Sequence, residues 1–130
     1  MPRFIAAIAL FLIALPSDTQ TTEDRLHTAG LVNGRAWSRM DDASKSFYVA
    51  GSLDGITMAC GSDQWKKLFA SDLNVGDVVK SLNKFYEEPT NIAIPITGAM
   101  SIVKSKAEGA SADSIEKATA LFRQIAASPK

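Results

Sequence analysis

Apolar residues recur with a helical period along most of this chain, most clearly in VGDVVKSLNKFYEE at 75–88. Val75, Val78, Val79, Leu82, Phe85 and Tyr86 follow one another at spacings that place them on one face of a helix. Asn74 precedes them as a capping residue, and Asp77 stands where its carboxylate can close a capping box. Lys80 and Lys84 fall on the wetted side. Pro89 ends the helix, because its ring would collide with the carbonyl four residues back.

The stretch after that proline, TNIAIPI, alternates Ile92, Ile94 and Ile96 with Ala93 and Pro95. In an extended segment successive side chains point to opposite sides, so the pattern predicts a strap with all three isoleucines turned toward the core. Thr90 and Asn91 turn the chain into it. Pro95 suits the first turn of a following helix, where its missing N–H costs nothing. That helix is expected over 95–107, with Ala99, Ile102, Val103 and Lys106 in register and Gly109 at its C-cap. Ser111 or Asp113 opens a last helix, with Ile115, Thr119, Phe122, Ile125 and Ala126 as its inner face.

The first half is less regular. Asn33-Gly34 predicts a turn, since both residues tolerate positive φ, followed by a short helix with Trp37 and Met40 on one side. Asp41 or Asp42 then caps a helix over 42–59. On that helix Phe47, Gly51, Asp54, Gly55 and Met58 form one stripe. Two helical glycines cost about 1 kcal/mol each against alanine, which predicts close approach by another helix or a ring. Asp54 either ends the helix as a turn with Gly55 or, if the helix continues, needs a donor, for which Arg35 is the first choice. SDQWKKLF at 62–69 predicts one or two further helical turns that gather Trp65, Leu68 and Phe69. No segment sustains strand alternation. The expected class is all-α, a bundle of about five helices in a single domain over 31–128.

The N-terminus reads differently. Arg3 is followed by twelve apolar residues, FIAAIALFLIAL at 4–15, and then by the polar stretch SDTQTTEDR. A charged start, a short apolar run and a polar exit describe a secretory signal peptide, here over 1–17 with cleavage after Ser17. Twelve apolar residues fall short of the roughly 20 a membrane-spanning helix needs. Residues 18–30 show no periodicity and are expected as a mobile leader containing His27. The protein is therefore expected in the periplasm or outside the cell, with no stable membrane span after processing.

Composition narrows the chemistry. In a chain of 130 residues, Lys+Arg 14 balances Asp+Glu 14, which recommends neither nucleic acid nor an anionic membrane as partner. With one cysteine and one histidine, common zinc sites cannot be assembled, and no metal or cofactor is expected. Cys60 has no partner for an internal disulfide and is expected as a small buried apolar group, the other reading being an intermolecular disulfide. Metalloprotease, C-x-x-C, nucleophile-elbow and P-loop motifs are all missing. Glu87 and Glu88 are neighbours on a helix and point about 100° apart, a poor geometry for paired acid–base work. No catalytic residue is assigned.

Three runs carry a resemblance: NGRAW at 33–37, FYVAGSLDG at 47–55 and FYEEPTNIAIPI at 85–96. Their order resembles that of small uncharacterised secreted bacterial helical proteins, over about residues 31–107. More loosely, Tyr48, Gly51, Asp54 and Gly55 followed by the helix and proline are similar to periplasmic immunity proteins of type VI secretion amidase toxins. Those proteins commonly carry cysteine pairs, and this chain has Cys60 alone. The first resemblance implies a helical fold and export but no activity, and the looser one an immunity-like inhibitor of a toxin. The function expected here is that of an exported helical binding or interaction protein, whose partner would be another envelope or secreted protein or a small ligand between its helices. The motifs mark Asn33, Arg35, Trp37, Tyr48, Asp54, Tyr86 and Asn91 as the candidate binding or structural site. The alternatives are a small periplasmic hydrolase-type enzyme using Asp54, and an envelope protein with no discrete site.

Overall fold

The computed structural model describes residues 25–60 and 73–128, apart from the side chain of Cys60. The expected signal peptide, the leader as far as residue 24, the 62–69 turns and the environment of the Cys60 thiol lie outside the described residues. Within them the chain is a helical bundle, as its periodicity predicts. Two short strands, β1 (His27–Thr28) and β2 (Leu31–Val32), precede α1 (Gly34–Trp37) and α2 (Asp42–Cys60). Then come α3 (Val75–Tyr86), a 3-10 turn (Pro89–Asn91), α4 (Ile96–Ala107) and α5 (Ala112–Ala127). α3 packs against both α2 and α4, and α5 packs against α4 and the 3-10 turn.

α3 forms as its sequence dictates. Asn74 accepts from the Asp77 amide at 2.9 Å, and Asp77 accepts from the Asn74 amide at 3.4 Å, closing the capping box. Val78, Val79, Leu82 and Tyr86 are buried on one face, and the helix stops at Tyr86, short of Pro89. α4 is followed by Gly109 at φ +82°, and Ser111 caps α5 by accepting from the Ser114 amide. At α2 the cap is Asp41, which accepts from the Ser44 amide at 2.7 Å. That bond, with a second from the Ser44 side chain, holds the Asp41 carboxyl below its ordinary pKa.

Three expectations are corrected at the hairpin, at the start of α1 and along the connector. Residues 27–30, read from sequence as leader, form with Leu31 and Val32 an antiparallel hairpin in which His27 pairs with Val32 across Ala29 and Gly30, both at positive φ. Thr28 Oγ1 donates to the Ala93 carbonyl at 2.6 Å and so ties the hairpin to the connector after α3. Asn33-Gly34 is not a turn: Asn33 is extended at φ −115° and caps α1, and Gly34 is already helical. The connector is not extended either. Its first part coils through the 3-10 turn, with the Ile94 amide donating to the Asn91 carbonyl at 2.8 Å. Ile94 and Ile96 are fully buried as expected, whereas Ile92 is half-buried because it continues the coil. Alternation is a strand argument, and Pro89 directs this backbone into a 3-10 turn instead.

The largest correction concerns α2. Its buried residues are Val49 and Leu53, with Tyr48, Ser52 and Ile56 half-buried beside them. The Phe47–Gly51–Asp54–Gly55–Met58 stripe is turned outward, with Phe47 78% and Met58 88% exposed. A Cβ added at Gly51 or Gly55 would meet nothing within 4 Å. Apolar residues occur all round this helix, so their spacing alone cannot select the inner face. The branched Val49 and Leu53 fill the space against α3, which a face of glycines would leave empty.

Close approach happens at other glycines. A Cβ on Gly34 would collide with the Tyr86 ring and lie 2.9 Å from the Ile92 carbonyl oxygen. One on Gly98, in α4, would lie 2.8 Å from the Phe122 ring, so α4 and α5 cross where α4 has no side chain.

Candidate functional site

The residues marked by the sequence motifs separate into a latch, two surface groups and one member of a cleft. The latch is built around Tyr86 at the end of α3. Its hydroxyl donates to the Ile94 carbonyl at 3.0 Å, its ring closes over Gly34, and the Trp37 ring lies 6.4 Å away. Burial, with a contribution from Tyr48, pushes the Tyr86 phenol well above its ordinary pKa, and burial does the same to Tyr48 itself.

Asn33 is fully buried in this latch with its amide used on both sides. Its Nδ2 donates to the Arg25 carbonyl at 3.0 Å and to Thr28 Oγ1 at 3.1 Å, while Oδ1 accepts from the Arg35 amide at 3.0 Å. Its backbone bridges to Pro95. Trp37 is buried too, with its indole N–H on Asn83 Oδ1 at 2.9 Å and Lys45 Nζ 5.5 Å from the ring centre. These groups satisfy one another and hold the hairpin, α1, α3 and the connector together. They are structural.

Arg35 and Asp54 lie at the surface and apart in role. Arg35 reaches back to the Arg25 carbonyl at 3.4 Å and makes no pair with Asp54. Asp54 is exposed on the outward stripe of α2 and has no hydrogen-bond or ion-pair partner among the described residues. The expected Arg35–Asp54 contact is therefore not formed. Asp54 is thus not held in an apolar setting among the described residues.

Asn91 belongs to the cleft. It is buried, and its Nδ2 donates to the Phe85 carbonyl at 2.9 Å, capping the end of α3 from the side. Its Oδ1 accepts from Arg123 Nε at 3.0 Å, and Arg123 Nη1 pairs with Glu116 at 3.1 Å. Above this network α3, α4 and α5 diverge around a cleft of about 450 Å³. Phe85, Ile102, Val103 and Ile115 give it an apolar floor. Lys84 comes to its edge from α3, Lys106 from α4 and Arg123 from α5, so each of the three helices contributes one cation.

Sequence reasoning reached Asn91 but not the groups around it. Lys84 reads from periodicity only as a wetted side chain, and Lys106 only as a member of the α4 register. Glu116 and Arg123 do carry a signal, because residues seven apart lie on one helix face. What the sequence lacks is the α3–α4–α5 arrangement that brings those faces together. Among the described residues no group of three or more histidines, cysteines and carboxylates is placed to hold a metal ion. No helix among them is long and apolar enough to cross a membrane.

Comparison of the chain with protein-family models, with curated proteins and with solved structures returns no match.

Proposed function

We propose that this chain is an exported helical binding protein and that it holds a small ligand in the cleft between α3, α4 and α5. The observation that carries the reading is the cleft itself. Its volume, about 450 Å³, falls in the range of roughly 300–1,000 Å³ typical of ligand pockets. Apolar side chains form its floor, and a few polar groups converge on its edge, as orientation of a bound molecule requires. Export rests on the Arg3 and 4–15 pattern and places the protein in the periplasm or outside the cell. Native mass spectrometry of the chain from its host's envelope fraction tests both parts. The expected result is a mature chain beginning near Asp18 with a co-purifying small molecule, lost when Ala107→Trp fills the cleft. A chain that retains residues 1–17, or one that carries no small molecule with the cleft open, counts against the reading.

A second reading is favoured by a separate observation. Phe47 and Met58, 78% and 88% exposed, lie on one face of α2 with two glycines between them, a surface that a protein partner could cover. This is the surface an immunity-like inhibitor of a toxin would use. Phe47→Glu and Met58→Glu should then abolish inhibition of a purified amidase toxin while leaving ligand capture by the cleft intact. The hydrolase alternative needs Asp54 in a cleft with donors converging on it. Among the described residues Asp54 is exposed on α2, does not line the α3–α4–α5 cleft and has no hydrogen-bond or ion-pair partner.

A further inference from the structure

The polar groups of the cleft differ in whether they are already engaged. Thr119 Oγ1 donates to the Ile115 carbonyl of its own helix at 2.7 Å, and Asn91 uses both ends of its amide. Glu88 accepts from the amide and hydroxyl of Thr90, at 3.3 and 3.0 Å, and Glu116 is paired with Arg123. Three groups remain without a partner among the described residues: the Ser81 hydroxyl and the ammonium groups of Lys84 and Lys106. An ammonium has three donors and no acceptor, so the cleft offers donors and positive charge. Each of its two carboxylates has one oxygen already engaged, so the lining sets three cations against two carboxylates.

Each class of small molecule meets this inventory differently. A cation would face three positive side chains against two carboxylates, each with one oxygen already accepting a bond. A neutral apolar molecule would use the Phe85–Ile102–Val103–Ile115 floor but leave both ammonium groups to water. An anion with an apolar body satisfies both halves at once. The lysine stems are long and flexible, so their heads can follow a ligand's charged end while the stems cover its apolar part.

Resting on the reading of the cleft as a ligand site, we propose that its ligand is a small amphipathic carboxylate. The acyl or aryl body lies on the apolar floor, and the carboxylate meets Lys84 and Lys106 at the edge. Arg123 is held by Glu116 and Asn91 and serves to fix the wall, so the two lysines supply the recognition. The mouth is open to solvent, so each lysine contributes as a screened surface charge.

Calorimetric titration of the full chain with decanoate, decanol and decyltrimethylammonium separates the contributions. Decanoate is expected to bind about tenfold tighter than decanol, and its advantage should shrink as salt rises. Decyltrimethylammonium should bind more weakly than decanol. Lys84→Met and Lys106→Met should each weaken decanoate by up to about fivefold and leave decanol unchanged, the scale of an exposed ion pair. Both lysines are exposed, and a thermal melt of each variant confirms that the fold is kept. Equal binding of decanoate and decanol, with no effect of either lysine variant, would overturn the carboxylate assignment and leave the cleft reading in place. Binding by none of the three compounds, or binding that Ala107→Trp does not block, would overturn both.

Discussion

Helices α2 and α3 pack against each other and handle their apolar residues in opposite ways. α3 buries Val78, Val79, Leu82 and Tyr86 and gives solvent Asp77, Lys80, Lys84 and Glu87 just beyond its end. α2 is longer, yet among its described side chains it buries only Val49 and Leu53 and leaves Phe47 and Met58 in water. Its outer stripe also carries two glycines that touch nothing, at a propensity cost of about 1 kcal/mol each. α3 is thus shaped by what the fold needs. Along α2 the outer face spends stability that the described core does not return, which is where a requirement other than folding would act.

The comparison is broken most directly by truncating the centre of α3. Leu82 is fully buried in the core cluster. Leu82→Ala is expected to cost about 3–5 kcal/mol, because the lost transfer energy is joined by that of the cavity left behind. Denaturant unfolding with an unchanged m-value measures it. A loss under about 1 kcal/mol would mean that α3 is no better packed than the outside of α2.

The latch at the end of α3 gives the next two effects. Gly34→Ala pushes a methyl into the Tyr86 ring and toward the Ile92 carbonyl, which is backbone and cannot rotate aside. The expected cost is about 1–3 kcal/mol from overpacking, read as a lower thermal midpoint. Tyr86→Phe keeps the ring and removes the donor to the Ile94 carbonyl. It should cost about 1–2 kcal/mol, the range for leaving one buried partner unsatisfied.

The same variant has a pH signature. Burial raises the folded-state pKa of Tyr86, so the unfolded chain ionises first as pH climbs through the ordinary tyrosine value of 10.0. Its contribution is therefore full below that pH and is lost as pH rises toward the folded-state value. Stability measured from pH 8 to 11 should fall less steeply in Tyr86→Phe than in the parent (~10 being the ordinary tyrosine value). Tyr48, also raised by burial, keeps a residual slope in both.

These elements were not equally legible in the sequence. α3, α4 and most of α5 could be read with their caps and inner faces because each alternates an apolar stripe with a polar one, and the capping residues Asn74 and Ser111 act locally. Ile125, expected on the inner face of α5, is instead 47% exposed. The outward turn of α2 could not, since apolar residues on all its sides leave tertiary packing to choose. The latch was half visible. Asn33, Trp37, Tyr86 and Asn91 stood out as motif residues, but whether such residues face a ligand or one another depends on contacts across the fold, such as Trp37 to Asn83 and Thr28 to Ala93. The cleft was least visible, because Lys84, Lys106 and Arg123 come from three helices and are ordinary surface charges on each.

The smallest effect is the most useful for the outer face of α2. Gly51 is exposed, in mid-helix, and a Cβ there meets nothing within 4 Å. Its spacing with Gly55 predicts from sequence a close crossing, in which added bulk would destabilise by overpacking. The structure reverses the sign. An exposed helical glycine replaced by alanine loses only unfolded-state freedom, so Gly51→Ala should stabilise by about 0.8–1 kcal/mol. Thermal melts of Gly51→Ala and Gly55→Ala, singly and together, measure this, and the gains should add, since neither methyl meets a neighbour within 4 Å. A loss in place of the gain would show that something covers this face in the folded chain. A gain accompanied by weakened capture of a protein partner would instead show that the glycines are kept for binding. That result would place the protein-binding surface on the Phe47–Met58 stripe and set it apart from the cleft.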